Sequence, residues 1–391
     1  MDLKAIQTYL TEHQLDGWLM VDFQGRNDIA MEMLHVHAFL TRRFCYFIPA
    51  QGEPVALVHN IEYDKFTAVE GEKIRFSGYK ELEENLARIL SDKKKIAMEY
   101  SAFGRLPYIG RVDAGTIEMI RSLGCEIVSS ADLVANFQAR LTPEQVAAHK
   151  KAAKYIIEIK DHAHDFIRQS LRHGKEINEF DVVQDILYQL SNHDMVSDHN
   201  PNCSVNANAG NPHYEPTFDR KTVIKKGDLI LIDLWGKHKS DDGVFADITW
   251  MAYAGSKSEI PQKYVEMFDV LIKARDRAVA FLKETIGNQT VFGADVDDAC
   301  RKLIVDAGYG QYFTHRTGHS ITGNIHGPGP NIDNLETEDK RKLQSGHLFS
   351  IEPGLYQSEF GMRTEIDVLI TEDGPEVTTL PLQTEIVALL D

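Results

Sequence analysis

Cysteine is scarce and scattered in this 391-residue chain: four residues, Cys45, Cys125, Cys203 and Cys300, with no Cys-x-x-Cys pair among them. That spacing suggests neither a zinc knuckle nor a disulfide framework and points to a reducing compartment. Long apolar runs are missing too, so no segment approaches membrane-spanning length. The opening MDLKAIQTYLTEHQLDG mixes Asp, Lys, Glu and His with its apolar residues, as an amphipathic helix does and an export signal does not. Positive charge is in short supply: 42 Lys and Arg stand against 59 Asp and Glu, for a net charge of −17. A nucleic acid or an anionic membrane surface needs clustered cations, so neither is expected as a partner. The expectation is a cytoplasmic protein suited to collecting cations.

What is present is ordinary globular composition, 43% hydrophobic and 26% charged, in a chain long enough for two cores. The first third alternates short apolar runs (GWLMVDF, FCYFIPA, PVALVH, KIAMEY) with helical patterns such as DAGTIEMIRSLG, the rhythm of an α/β domain. A helix start follows in LTPEQ, with Thr142 as N-cap, Pro143 at the first helical position and Gln145 completing a capping box. The domains are therefore drawn as 1-140 and 141-391. Within the second, a long helix reaching Gly174 precedes EFDVVQDILYQL, and another reaching Gly287 precedes GADVDDACRKLI, with Asp181 and Asp295 at nearly the same offset as the glycines. A duplicated helix pair explains this, and chance similarity of two amphipathic helices is its rival.

Residues 315–330, HRTGHSITGNIHGPGP, hold His315, His319 and His326 in a stretch broken by four glycines. Glycine lets backbone approach closely whatever a ring is aimed at, so the segment is either a metal or catalytic loop or merely a flexible one. Nearby runs carry acids. DLILIDLWG delivers Asp233 near a strand end, and GVFADITWMAY delivers Asp247 on the other arm of a hairpin. HLFSIEPGLY holds Glu352 extended before Pro353, and GMRTEIDVLIT alternates so that Arg363, Glu365 and Asp367 share a face. A carboxylate in an apolar strand is costly unless paired, protonated or bound to a cation. Asp233, Asp247, Glu352 and Glu365 together, with a Gly-flanked His319, need a common explanation.

The order Asp233, Asp247, His319, Glu352, Glu365, in the contexts LIDLWG, FADIT, GHSITGNIH, IEPGLY and GMRTEIDVLIT, resembles the pita-bread metallopeptidases, which include Xaa-Pro aminopeptidases, prolidases and methionine aminopeptidases. The resemblance spans the chain. It implies an α+β architecture: a pita-bread C-terminal domain with a pseudo-twofold repeat, preceded by a smaller α/β creatinase-type N-terminal domain. It further implies two divalent metal ions per subunit, with Asp233 chelating one, His319 and Glu352 holding the other, and Asp247 and Glu365 bridging both. So many oxygen donors favour Mn²⁺, with Co²⁺, Fe²⁺ or Zn²⁺ as alternatives.

The catalytic set implied by the resemblance is Glu352 as proton relay, with His213 (in NPHYEP), His315 and His326 on the substrate side. Arg363 is expected to orient a bridging carboxylate, or else to form a cross-strand pair with Asp367. The implied activity is hydrolysis of the peptide bond before proline, of Xaa-Pro dipeptidase type, in a homodimer acting on small peptides. Alternatives are an Xaa-Pro aminopeptidase on longer peptides, a metal-dependent lyase or small-amide hydrolase, and a creatinase-like or non-catalytic member. Three departures from the family pattern surround the ligands: a longer turn between Asp233 and Asp247, Trp250 after DIT where Arg is common, and Gly327 in place of an acid after His326.

Overall fold

The continuous apolar runs of the first third form strands that must hide both faces. The computed structural model describes residues 1–391, which divide into two units, Met1–Gln138 and Ala139–Asp391. In the first, strands β1 (Gly17–Phe23), β2 (Arg43–Pro49), β3 (Val55–His59), β4 (Glu72–Phe76), β5 (Lys95–Met98) and β6 (Glu126–Ser129) make one mixed sheet in the order β4-β3-β2-β1-β5-β6. Helices α1 (Leu3–Glu12), α2 (Asp28–Met33), α3 (Tyr79–Ile89), α4 (Ala114–Ser122) and α5 (Ala131–Phe137) flank it. Along β1, Trp18 and Met20 enter one core cluster while Leu19 and Val21 enter the other, so a period of two fills both sides.

The second unit opens with α6 (Pro143–Arg172), whose Thr142 hydroxyl accepts from the Gln145 amide while the Gln145 side chain accepts from the Thr142 amide. Helix α7 (Glu179–Asn192) follows. Strands β7 (Met195–Val196), β8 (Asn202–Val205), β9 (Leu229–His238) and β10 (Ala246–Tyr253) come next, then α8 (Gln262–Thr285) and α9 (Gly293–Asp306). The chain ends with β11 (Leu348–Ile351), β12 (Gly354–Tyr356), β13 (Gly361–Arg363), β14 (Ile366–Thr371), β15 (Gly374–Val377) and β16 (Val387–Ala388). Strand β9 pairs antiparallel with β10 on one side and with β7 and β8 on the other.

The two helix pairs are built alike. Gly174 and Gly287, each just past its long helix, take positive φ of 66° and 85°. Asp181 then caps α7 through the Asn178 amide, as Asp295 caps α9 through the Phe292 amide. The pairs cover opposite faces of the sheet: Ile230, Ile232, Ile248 and Trp250 pack with α6 and α7, whereas Leu229, Leu231, Met251 and Tyr253 pack with α8 and α9. This is the doubled architecture of the pita-bread fold. No helix is long and apolar enough to cross a membrane.

Candidate metal centre

The pleat decides which side chains meet. Asp233 of β9 lies opposite Thr249 of β10, and Asp247 lies opposite Trp235, so the odd-numbered residues of both strands project to one face. Asp233 sits in the middle of β9 and not near its end, because the apolar pattern continues through Leu234 into a ten-residue strand. The run GMRTEIDVLIT is likewise two strands: β13 ends at Arg363, Thr364 and Glu365 form a break, and β14 begins at Ile366. The break lets Glu365 point at β10, where its Oε2 accepts from Thr249 Oγ1 at 2.7 Å.

His319 reaches the same place from the glycine-broken segment. A Cβ on Gly318 would lie 1.9 Å from the Ser350 carbonyl oxygen, so only glycine allows this segment to lie against β11. The His319 amide donates to Ser350 Oγ at 2.9 Å, and Nδ1 lies 3.3 Å from the Ser320 carbonyl. A proton on Nδ1 leaves the Nε2 lone pair facing Asp247 Oδ2 at 3.6 Å and Glu352 Oε1 at 3.5 Å. Asp247, His319 and Glu365 each bring one donor atom within 4.8 Å of the others, and all three are buried. Asp233 joins through Thr249 Oγ1, 3.3 Å from its Oδ1, and Glu352 through Ser350 Oγ, 3.2 Å from its Oε1.

Four carboxyls packed this way repel one another. Burial first, then the charges of Glu365, Asp233, Asp367 and Glu352, hold Asp247 well above the usual carboxylate range. Burial and then Glu352 and Asp233 do the same to Glu365. Burial raises Asp233 although Arg363 opposes it, and pushes Glu352 up to about 7. Asp247 Oδ1 is buried with no hydrogen-bond partner. An orphaned acceptor among converging oxygens and one imidazole nitrogen is a donor set that fits divalent cations.

Arg363 forms its ion pair with Asp233, donates to Thr249 Oγ1 (2.9 Å) and to Tyr356 OH (3.2 Å), and lies 3.9 Å from Glu352. The pairing with Asp367 does not occur, because the strand break turns Asp367 toward β10, where its Oδ2 accepts from the Asp247 amide at 2.9 Å. Of the other histidines, His315 has both ring nitrogens engaged, with the Arg316 carbonyl (2.6 Å) and Tyr356 OH (2.8 Å), and burial and then Arg363 push its pKa down to about 3. His326 packs edge-on to His319, 4.5 Å between ring centres, and is exposed. His213 is exposed in the loop after β8, close enough to His326 for its charge to act there. Thr249, Ser350 and Tyr356 are site residues that the sequence reading does not name; they lie inside the motifs FADIT, HLFSI and EPGLY, whose hydroxyl-bearing residues are the available signal.

Residues 150–372 match the model of metallopeptidase family M24. The chain is 28% identical over 389 residues to an Xaa-Pro dipeptidase of Lactobacillus delbrueckii subsp. lactis, covering 96% of this chain and 95% of that one. Its fold is similar to that of the dipeptidase PepE from Mycobacterium ulcerans, with a TM-score of 0.75, 21% identity and coverage of 100% and 97%. It is also similar to that of an X-prolyl aminopeptidase from Caenorhabditis elegans, described as a cytosolic enzyme with a di-nuclear active site, with a TM-score of 0.67, 16% identity and coverage of 98% and 62%.

Proposed function

The chain belongs to metallopeptidase family M24, and from that membership we propose that it is a dinuclear-metal Xaa-Pro dipeptidase, cleaving the peptide bond before proline. The observation that carries this is the meeting of Asp247, Glu352 and Glu365 around His319, with Asp233 joined to Glu365 through Thr249 Oγ1 and a buried oxygen left over. Similarity along nearly the whole length to an Xaa-Pro dipeptidase supports the dipeptide assignment. The oxygen-rich donor set favours Mn²⁺. Four buried, unpaired cysteines accord with a reducing cytoplasm.

Asp233, Asp247, His319, Glu352 and Glu365 would hold the ions, which when bound polarise the scissile carbonyl and acidify water. The chain's own groups do the rest. Glu352 carries a proton from the attacking water to the departing proline nitrogen. His326, exposed beside His319, donates to the oxygen that gains charge, and His213 meets the substrate from the opposite loop. His315, fixed by Tyr356, keeps Arg363 against Asp233 and so fixes that carboxylate's direction. The test is hydrolysis of Ala-Pro, Leu-Pro and Gly-Pro with added Mn²⁺, against creatine, a small amide and Ala-Pro-Ala. Cleavage confined to dipeptides and lost with a chelator supports the assignment. Turnover that survives chelation, or that prefers a non-peptide, overturns it.

A further inference from the structure

Strand β8 carries a side-chain oxygen that nothing in the fold satisfies. Asn202 is 8% exposed, and its Oδ1 is buried without a hydrogen-bond partner. Its position is fixed by register: Asn202 lies directly opposite Asp233, which lies directly opposite Thr249, so the three stand in one row across the sheet. Opposed residues share a face, with Cβ atoms about 5 Å apart. The neighbours confirm the face, since Cys203 and Val205 pack into the α6 and α7 core and leave Asn202 and Ser204 on the side of Asp233. Ser204 Oγ, two residues along, is also buried and unpartnered. Ser204 lies opposite Leu231 in the apolar core, whereas Asn202 stands beside Asp233, where an orphaned acceptor is costly to leave dry and calls for a polar partner that the fold does not supply.

The chemistry of the orphaned atom says which part of a peptide arrives there: an acceptor needs a donor. Asn202 flanks Asp233 on the β8 side, whereas His319 stands on the other side, near Asp247 of β10. In an Xaa-Pro dipeptide the second residue has no donor to offer, since the proline nitrogen carries no hydrogen and the carboxylate only accepts, so an unmet acceptor on this flank is matched to the first residue. Resting on the dipeptidase reading above, we infer that Asn202 reads the first residue of the substrate, its Oδ1 accepting a hydrogen bond from a side chain that can donate one. The substrate class is Xaa-Pro with a hydroxyl- or amide-bearing first residue.

The test uses isosteric pairs, Thr-Pro against Val-Pro and Gln-Pro against Met-Pro, with the metal-loaded full chain. The wild type should favour the donor of at least one pair by about ten-fold in kcat/KM, the worth of one hydrogen bond to an otherwise unmet acceptor. Asn202→Leu, with the same branching and no polar atom, should bring that ratio near one, chiefly by improving the apolar partner. Asn202→Asp, which keeps the acceptor and guards against a misfolded Leu variant, should retain the ratio and raise Lys-Pro. Ratios near one in the wild type, or unchanged in Asn202→Leu, overturn the inference and assign the orphaned oxygen to an internal water. If no Xaa-Pro dipeptide is cleaved, the dipeptidase reading fails separately. The binding ratio of Thr-Ala to Val-Ala by calorimetry then decides the role of Asn202, and no binding of either overturns it.

Discussion

Removing metal should expose the repulsion among the buried acids as a loss of stability with a defined sign in pH. Glu352 is pushed up to about 7, against about 4.5 for the unfolded chain, so between those values the folded state holds a proton that the unfolded state has released. Stability therefore falls as pH rises through that window, by about 1.4 kcal/mol per unit, or roughly 3 kcal/mol across it. Asp247 and Glu365, 4% and 2% exposed, add to the loss at higher pH. At about 2–4 °C per kcal/mol, Glu352 alone lowers the melting temperature by roughly 6–12 °C. The assay is calorimetry of chelated and manganese-reloaded protein at pH 5 and 8. The chelated form should melt lower at pH 8, reloading should restore it, and Glu365→Gln should raise the chelated value at pH 8 while abolishing the response to manganese. A chelated protein indifferent to pH and to added metal would refute the reasoning.

His164 is buried in α6, its Nε2 without a partner and its pKa pushed down to about 3 by burial and then by Lys160 and Arg168. Its folded value lies below the unfolded one, so stability falls as pH drops below about 6.5; His164→Leu should flatten the acid limb of a urea-midpoint titration by about 1.4 kcal/mol per unit. Tyr356→Phe removes the hydroxyl joining His315 to Arg363 and should lower kcat about ten-fold at nearly constant KM in a steady-state assay. Lys160 stacks on Trp250, 3.7 Å above the ring centre, so Trp250→Arg sets two cations together and should cost about 1–3 kcal/mol by denaturant melt while the metal content holds.

How much of this was legible beforehand varied with the reach of the signal. The hairpin of β9 and β10, the capping box of α6 and the paired caps of α7 and α9 rest on local rules of pleat and turn, and the sequence displays them. The proposed metal-ligand set rests on order and context along the chain. No local pattern shows that Glu365 sits in a break between β13 and β14, since a carboxylate drawn toward Thr249 overrides the apparent alternation. That alternation offers Asp367 as an alternative partner for Arg363, and the fold gives it Asp233. Asn202 passed unnoticed because its importance lies only in its register against β9, a long-range pairing that the bare segment PNCSVNAN cannot state.

The central claim is that the acids around His319 exist to hold two cations. The direct measurement is the manganese content per chain, by elemental analysis after reloading and desalting, taken together with Ala-Pro turnover. Two ions per chain, with Asp247→Asn binding fewer and losing turnover, is the predicted result. A fully active wild type that retains no divalent metal would contradict it.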